Sequence, residues 1–179
     1  METLPNTIAP QDLARAAVEN FIRDGLVVAP PARPEGILAQ TAGAFVTIRT
    51  TGGALRGCIG TVSPSRDTIA EEIIQNAISA ATRDPRFPPV APGELSDLTY
   101  GVDVLMPPER VSGIEDLDPA RYGVIVESLG GRGRGLLLPR IDGIDTPGQQ
   151  WRAVHQKAGI NLGDPVRVER FMVTRFGKD

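Results

Sequence analysis

The order of the strand-like segments restricts the fold of this chain more than any other feature of its sequence. Residues 44–50 and 55–62 are two such segments, separated only by the turn at residues 51–53. A second pair, residues 122–127 and 136–141, flanks a glycine-rich loop. Strands joined by short turns pair antiparallel, whereas parallel strands need long crossovers that usually contain a helix. We therefore expect hairpins within a largely antiparallel sheet.

Helical patterns occupy three other parts of the chain. Residues 10–26 and 68–82 place apolar side chains at helical spacing, and the second segment begins with the capping-box pattern Thr-x-x-Glu. Residues 146–158 open with Thr-Pro-x-Gln, which is typical of a helix start. Residues 98–105 alternate as in a strand, and residues 166–176 indicate a final strand. About six strands, often adjacent in sequence, and three helices predict an α+β fold in which helices flank the sheet.

Length and cysteine content indicate a globular protein without disulfide bonds. We expect one domain over residues 1–179, with room for a small lobe formed by part of the chain. The single cysteine cannot form an internal disulfide, which fits a reducing compartment. No apolar run approaches the roughly 20 residues that cross a membrane, and the N-terminal residues lack the pattern of a signal peptide. These observations predict a cytoplasmic protein that does not bind membranes.

The charge of the chain disfavours nucleic acid as a partner. The formal net charge is −3, and aromatic residues make up 4% of the sequence. Proteins that bind nucleic acids usually carry a strong basic patch, and those that bind single strands stack bases on aromatic side chains. A local basic cluster could still bind RNA, but the composition gives no support for it.

The segment Leu55–Gly60 carries the only cysteine of the chain and is the main candidate for a functional site. Side chains two residues apart in a strand share a face, so Arg56 and Cys58 are expected to lie side by side. A guanidinium beside a thiol favours the thiolate, which makes Cys58 a candidate catalytic residue. Arg56 would then bind a carboxylate or phosphate of the substrate. Gly57 and Gly60 leave the backbone open to close approach and are further substrate-binding candidates.

A structural interpretation of the same segment stays open. Free cysteine is among the most buried residue types, so Cys58 could be a small core residue. Arg56 could pair with a carboxylate on a neighbouring strand, which would leave the thiol without an activating charge. In that case the segment would be a packed, charge-compensated strand instead of a reactive site.

The loop at residues 84–89 contains three prolines, which fix φ and stiffen the backbone. A stiff loop can hold side chains in fixed positions, and we take Asp84, Arg86 and Phe87 as additional substrate-binding candidates. The alternative is a packed surface loop in which Phe87 fills the edge of the core.

His155 is the only histidine, and it is a candidate general base or a group that orders the Cys58 thiolate. The alternative is a half-buried histidine near a helix end. With one cysteine and one histidine the chain cannot form an all-Cys/His zinc site, and we expect neither a metal nor a cofactor. The loop at residues 130–135 is rich in glycine and arginine but lacks the lysine of a phosphate-binding loop, which favours a hairpin tip.

Five motifs after the first helix form a recognisable set: Phe45-Val46-Thr47, Leu55-Arg56-Gly57-Cys58-Ile59-Gly60-Thr61, Asp84 with Arg86-Phe87-Pro88-Pro89, residues 94–105, and Lys157-Ala158-Gly159. Together they resemble the signature of the AMMECR1 domain proteins. The resemblance implies an α+β fold with a larger antiparallel-sheet part, a smaller lobe and a cleft near the Cys58 motif. Bacterial and archaeal relatives often occur with Memo-like proteins, similar to class III extradiol dioxygenases, and with radical SAM proteins, which suggests such proteins as partners. His155 lies outside these motifs, which weakens the idea of a Cys–His pair.

Two functions follow as hypotheses. The first is a thiol-dependent enzyme acting on a small anionic metabolite, with Cys58 as nucleophile or acid/base and Arg56 and Arg86 holding the anion. The second is a non-catalytic interaction module in which Cys58 is structural and Phe87 contacts a Memo-like or radical SAM partner. A homodimer is also compatible with the sequence.

Overall fold

The structure is a computed structural model that describes residues 4–131 and 133–177. Within these residues it contains three α-helices and eight β-strands. The helices are α1 (Pro10–Asp24), α2 (Ile69–Thr82) and α3 (Pro147–Ala158). The strands are β1 (Ala44–Thr50), β2 (Leu55–Gly60), β3 (Leu98–Leu105), β4 (Glu109–Val111), β5 (Gly123–Ser128), β6 (Arg134–Leu137), β7 (Val166–Phe171) and β8 (Val173–Phe176). Short 3₁₀ helices are found at Gly36–Ala39, Pro92–Asp97 and Ile114–Asp116.

The chain divides into two compact units. The first runs to Val104 and resumes at Arg175, and the second comprises Leu105–Thr174. The strand pairs β1–β2, β1–β3, β4–β7, β5–β6 and β5–β7 are antiparallel. The predicted α+β fold class is therefore confirmed. Over the described ranges, no helix is long and apolar enough to cross a membrane.

The first unit contains α1, α2 and a sheet with the strand order β2-β1-β3-β8. Alternate residues of β1, including Val46 and Ile48, are fully buried and join Ile73 and Ala77 of α2 in one apolar cluster. Burying a valine or isoleucine side chain stabilises the fold by roughly 1.5–3 kcal/mol. Helix α2 begins with the predicted capping box, in which the Thr68 side chain and the Glu71 side chain bond each other's backbone N–H. This packing fixes β1 and β2 against α2.

The second unit contains α3 and a sheet with the strand order β4-β7-β5-β6. Val154 and Ala158 of α3 join Val124, Val126 and Val168 of the sheet in a second apolar cluster. The predicted start of α3 is also confirmed, because Thr146 and Gln149 form a capping box. Each unit thus has an apolar cluster of its own.

The single final strand predicted at residues 166–176 is wrong. Met172 separates β7 from β8, and the two strands belong to different sheets. A strand-like pattern indicates that a segment is extended. It does not indicate where the chain leaves one sheet and joins another. Strand β6 overlaps the predicted residues 136–141 only at residues 136 and 137, because it begins and ends earlier. Strand β4 was not predicted, because its three residues are too few to show a period.

Candidate functional site

The sequence motif around Cys58 folds into a compact group of side chains in the first unit. We call this group the Cys58 cluster, and its members are Thr47, Arg56, Cys58, Asp84, Arg86, Phe87 and Glu94. Cys58 lies on β2, an edge strand, directly opposite Thr47 of β1. The Thr47 hydroxyl oxygen is 3.4 Å from the Cys58 sulfur, within hydrogen-bond distance. Cys58 is partly exposed as a residue, so it is not one of the fully buried core residues.

Asp84 is the polar centre of the cluster. Its buried carboxylate accepts hydrogen bonds from the Cys58 backbone N–H at 2.8 Å and from the Arg86 backbone N–H at 3.1 Å. The Arg86 guanidinium donates two more, from Nε at 2.9 Å and from an Nη at 2.7 Å. The bonds from the Arg86 guanidinium, together with that from Cys58, outweigh burial and hold the pKa of Asp84 far below its usual range. Asp84 therefore stays ionised at neutral pH.

Asp84 and Arg86 also cover the open edge of the sheet at Cys58. The Cys58 N–H donates to Asp84, and the Cys58 carbonyl accepts a weak hydrogen bond of 3.5 Å from Arg86. An uncovered edge strand presents unpaired N–H and C=O groups that can pair with another chain. The two side chains take the place of a neighbouring strand at this one residue.

Arg56 is fully engaged in an ion pair that the sequence analysis left open as an alternative. Its Nε and one Nη donate to the two carboxylate oxygens of Glu94 at 2.7 and 3.0 Å. The other Nη donates to the Pro88 carbonyl at 3.0 Å, and the side chain is 12% exposed. The bond with Glu94 raises the pKa of Arg56 and lowers that of Glu94. Glu94 lies on the 3₁₀ helix Pro92–Asp97, not on a neighbouring strand.

Phe87 is half-buried, and two cations lie close to its ring. The guanidinium carbon of Arg56 is 5.9 Å from the centre of its ring, and that of Arg86 is 5.5 Å away. Cation–π contacts of this kind contribute about 0.5–1 kcal/mol each at exposed sites. Arg56, Arg86 and Phe87 therefore lie close together at the surface of the first unit.

The glycines of the motif are explained by packing inside the protein. A Cβ atom on Gly57 would lie 2.2 Å from the carbonyl oxygen of Ala80 in α2. A Cβ atom on Gly60 would lie 2.2 Å from the ring of Phe45 and 2.6 Å from the carbonyl oxygen of Ala44. The close approach that these glycines permit is made by the protein's own helix and side chain.

His155 lies apart from this cluster, on α3 in the second unit. Its side chain is 1% exposed, and its Nδ1 is 2.9 Å from the Trp151 carbonyl oxygen, which implies that Nδ1 carries the proton. The Trp151 ring lies 4.2 Å from the imidazole, centre to centre. His155 therefore fits the structural alternative, a packed histidine near a helix end.

The glycine-rich loop joins β5 to β6, as expected for a hairpin tip. Arg132 lies outside the described residues. Gly131 and Gly133 have positive φ values of 76° and 99°, a conformation that glycine adopts without strain. The neighbouring strands are antiparallel, which differs from the strand-to-helix setting of a phosphate-binding loop.

The sequence analysis missed a buried carboxylate next to the motif. Glu72 of α2 is fully buried and accepts hydrogen bonds from the Thr61 hydroxyl, from the N–H and hydroxyl of Ser65, and from the Arg66 N–H. Burial alone would raise its pKa, but these bonds together lower it. The signal was present in the sequence, since Glu72 and Asn76 lie four residues apart on the apolar stripe of α2. Glu72 anchors the loop that follows β2.

Every charge of the Cys58 cluster has an opposite partner within it. Arg56 pairs with Glu94 and Arg86 pairs with Asp84, so the four charges cancel. The Arg86 side chain is 53% exposed, and its Nη1 has no hydrogen-bond partner among residues 4–131 and 133–177. Over the same ranges, no group of three or more His, Cys, Asp and Glu side chains is placed to hold a metal ion. The cluster therefore has an aromatic ring, a guanidinium nitrogen without a partner among the described residues, and a partly exposed cysteine.

Comparisons with known proteins agree with the motifs. A sequence model of the AMMECR1 family matches residues 11–178 of the chain. A protein of Thermotoga maritima is 52% identical over 161 residues, which cover 89% of this chain and 91% of that relative. A protein of Clostridium acetobutylicum is 43% identical over 165 residues, and the chain spans 34% of its length. The crystal structure of an uncharacterized protein of Pyrococcus horikoshii superposes with a TM-score of 0.87 at 32% identity, covering 95% of this chain and 90% of that one.

Proposed function

The chain belongs to the AMMECR1 family, and from that premise we propose that it is a non-catalytic module that docks a partner protein through the Cys58 cluster. The observation that carries the proposal is the Phe87 ring, which lies within 6 Å of the guanidinium carbons of both Arg56 and Arg86 on a loop rich in proline. Aromatic and arginine side chains are the residues that most often dominate the binding energy of protein interfaces. The loop offers both kinds of side chain side by side.

The arginines of this surface are held by hydrogen bonds before any partner binds, which supports its use as a docking surface. Binding a partner costs about 0.5–1.5 kcal/mol for each flexible side chain that becomes ordered. Arg56 is already fixed by Glu94 and by the Pro88 carbonyl, and Arg86 by Asp84. A partner that contacts these arginines would therefore lose little of its binding energy to side-chain ordering.

The charges of the cluster favour docking over catalysis. A thiol enzyme activates its nucleophile with an adjacent base or with a cation that is available to the thiolate. Arg56 forms an ion pair with Glu94, and His155 is buried in the second unit. An anionic substrate that used Arg56 would have to displace a carboxylate bound through two hydrogen bonds.

The partners suggested by the family resemblance are Memo-like proteins and radical SAM proteins. A partner with an acidic side chain beside an apolar surface would match the free Arg86 nitrogen and the Phe87 ring. We propose that this interaction takes place in the cytoplasm, because a chain with a single cysteine fits a reducing compartment.

Replacing Phe87 with alanine is expected to weaken binding to the Memo-like or radical SAM protein of the same organism at least about thirtyfold, which corresponds to about 2 kcal/mol. Calorimetric titration of the purified proteins measures the effect, and thermal unfolding confirms that the variant is folded. Val27→Ala is the matched control, because Val27 is 63% exposed and lies outside the Cys58 cluster. Equal affinity of the Phe87→Ala variant and the wild type would rule out this docking surface, and so would the absence of binding to either protein.

A thiol-dependent enzyme is the second candidate, and one observation favours it. Cys58 is partly exposed, and the Arg86 Nη1, which has no hydrogen-bond partner among the described residues, could receive an anionic substrate. In this alternative Cys58 is the nucleophile or acid/base, and Arg86 rather than Arg56 holds the anion.

Alkylation of Cys58 with iodoacetamide separates the two functions. We expect the native protein at pH 7 to react more slowly than the chain unfolded in urea, because Thr47 bonds the thiol and the cluster partly covers it. The single cysteine makes the assignment unambiguous. Faster reaction in the native protein would favour the enzyme, and Cys58→Ser should then abolish turnover in a metabolite screen.

A further inference from the structure

The loop formed by residues 85–91, next to the Cys58 strand, has no free backbone N–H group. Its three prolines have no N–H to donate. The N–H groups of the other residues are all bonded within the protein: those of Arg86 and Phe87 to Asp84, that of Val90 to Ala81, and that of Ala91 to Glu94. The backbone of this loop therefore has no donor to offer to a partner.

The same loop keeps backbone acceptors. The Pro88 carbonyl accepts a hydrogen bond from Arg56 at 3.0 Å. The carbonyl groups of Arg86, Phe87 and Pro89 accept none from the residues that the structure describes. A partner can therefore form backbone hydrogen bonds with this loop only by donating to it.

The end of the loop is an extended, exposed proline segment. Pro88 and Pro89 are both exposed, and residues 88–90 belong to no helix, strand or turn. The residue before a proline is restricted to the β and polyproline II regions, and this restriction applies to both Phe87 and Pro88. Aromatic-lined grooves bind proline segments of this kind, because a preformed extended chain loses little conformational entropy on binding.

The hydrogen-bonding groups of the loop disfavour the addition of a partner's β-strand. Paired strands exchange donors and acceptors in alternation along their edges. A loop that only accepts would leave the carbonyl groups of the added strand unpaired, and each buried unpaired group costs about 1–3 kcal/mol. Donors on side chains avoid this cost. Tryptophan and tyrosine combine such a donor with a flat apolar ring.

We propose that the partner binds residues 85–91 with a groove lined by tryptophan and tyrosine side chains. The rings pack on Pro88 and Pro89, and their N–H or O–H groups donate to the carbonyl groups that lack a partner. A carboxylate at the edge of the groove bonds the Arg86 guanidinium. This inference rests on the docking function proposed above and names the chemistry of the partner at that surface.

Calorimetric titration with the Memo-like or radical SAM protein of the same organism tests the contribution of the prolines. Pro89→Ala removes a proline ring and adds an N–H, so we expect it to weaken binding at least about fivefold. Pro30→Ala is the matched control, because Pro30 is an exposed proline of the first unit outside residues 85–91, and its affinity should be unchanged. Thermal unfolding shows that both variants are folded. Equal affinity of Pro89→Ala and the wild type would overturn the inference.

Fluorine NMR of the partner tests the aromatic groove with the unaltered protein. With the partner labelled with 5-fluorotryptophan or 3-fluorotyrosine, we expect at least one ¹⁹F resonance to shift when the protein is added. Replacing the partner residue that shifts with phenylalanine keeps a ring but removes the donor, and should weaken binding about threefold to tenfold.

The outcomes separate this inference from the docking function. If Phe87→Ala weakens binding but no ¹⁹F resonance shifts, the aromatic groove is wrong and the docking surface remains. An unchanged affinity after the phenylalanine replacement would likewise contradict the donor role of the groove. Absence of binding to both candidate proteins would overturn the docking function and this inference together.

Discussion

Replacing Gly57 with alanine is expected to lower the free energy of unfolding by about 3 kcal/mol, at the upper end of the usual cost of overpacking. The new Cβ atom would lie 2.2 Å from the carbonyl oxygen of Ala80 and 3.1 Å from its carbonyl carbon. Both atoms belong to the backbone of α2, so they cannot move aside as a flexible side chain would. The strand and the helix must separate, which loosens the apolar cluster between them. Urea unfolding at pH 7 measures the change.

Gly52→Ala is the matched control for this prediction. Gly52 lies in the turn of the same hairpin, and the nearest atom to its Cβ position is the Thr50 hydroxyl oxygen at 3.7 Å, an ordinary contact. We expect its effect to stay within about 0.5 kcal/mol. A Gly57→Ala variant as stable as Gly52→Ala would contradict the packing explanation, and the Gly57 backbone would again be a candidate for ligand contact.

Replacing Asp84 with alanine is expected to lower the free energy of unfolding by about 3 kcal/mol at pH 7. The substitution removes the acceptor of four hydrogen bonds, one from the Cys58 N–H and three from Arg86. The value lies at the lower end for a broken buried pair because Arg86 is 53% exposed and regains contact with water. The Cys58 N–H at the sheet edge loses its partner. Urea unfolding also measures this change.

The effect of Asp84 on stability depends on pH in a defined direction. The pKa of Asp84 in the folded protein lies well below the value of about 3.9 in an unfolded chain. Its stabilisation is therefore fully present above about pH 5 and decreases as the pH falls toward the folded pKa. The difference between wild type and Asp84→Ala should be smaller at pH 3 than at pH 7. A difference that is constant over this range would show that the charge of Asp84 does not stabilise the cluster.

A further variant separates charge from shape at position 84, and a second variant, at another position, serves as the control. Asp84→Asn keeps the size of the side chain but replaces one acceptor oxygen with a donor, and we expect a loss of about 1–2 kcal/mol. Asp142→Ala removes an exposed carboxylate and should change stability by less than about 0.5 kcal/mol. A loss in Asp84→Asn as large as that in Asp84→Ala would assign the whole effect to charge.

The local elements of this fold could be predicted because their causes are local. The capping boxes at Thr68 and Thr146 satisfy the first backbone N–H groups of α2 and α3 with side chains three residues away. The hairpin of β1 and β2 follows from a short turn between two strand-like runs. The exception was the end of the chain, where the extended pattern continues through Met172 while the backbone passes from one sheet to the other. The sequence of residues 166–176 has no feature that indicates the change from one sheet to the other.

Five of the predicted site residues lie together, but His155 does not, and the partners of the charged residues were not predicted. Glu94 lies 38 residues from Arg56 along the chain, and many other carboxylates could have taken its place. The same holds for the bond from Cys58 to Asp84, which lies 26 residues away. Glu72 was missed because a single carboxylate within an apolar stripe has no partner that the sequence identifies.

The sequence by itself determined the α+β class, the three helices, the two hairpins and the family, because periodicity, caps, turns and motifs depend on residues close together in the chain. Only the tertiary structure decided that Arg56 binds Glu94, that Asp84 covers the edge of β2, and that His155 is packed in the other unit. These contacts join residues far apart in sequence, and their energies depend on burial and distance, which no local pattern specifies. Once the neighbours of Arg56 and Arg86 were known, each arginine proved to be paired with a carboxylate, so that the charges of the cluster cancel.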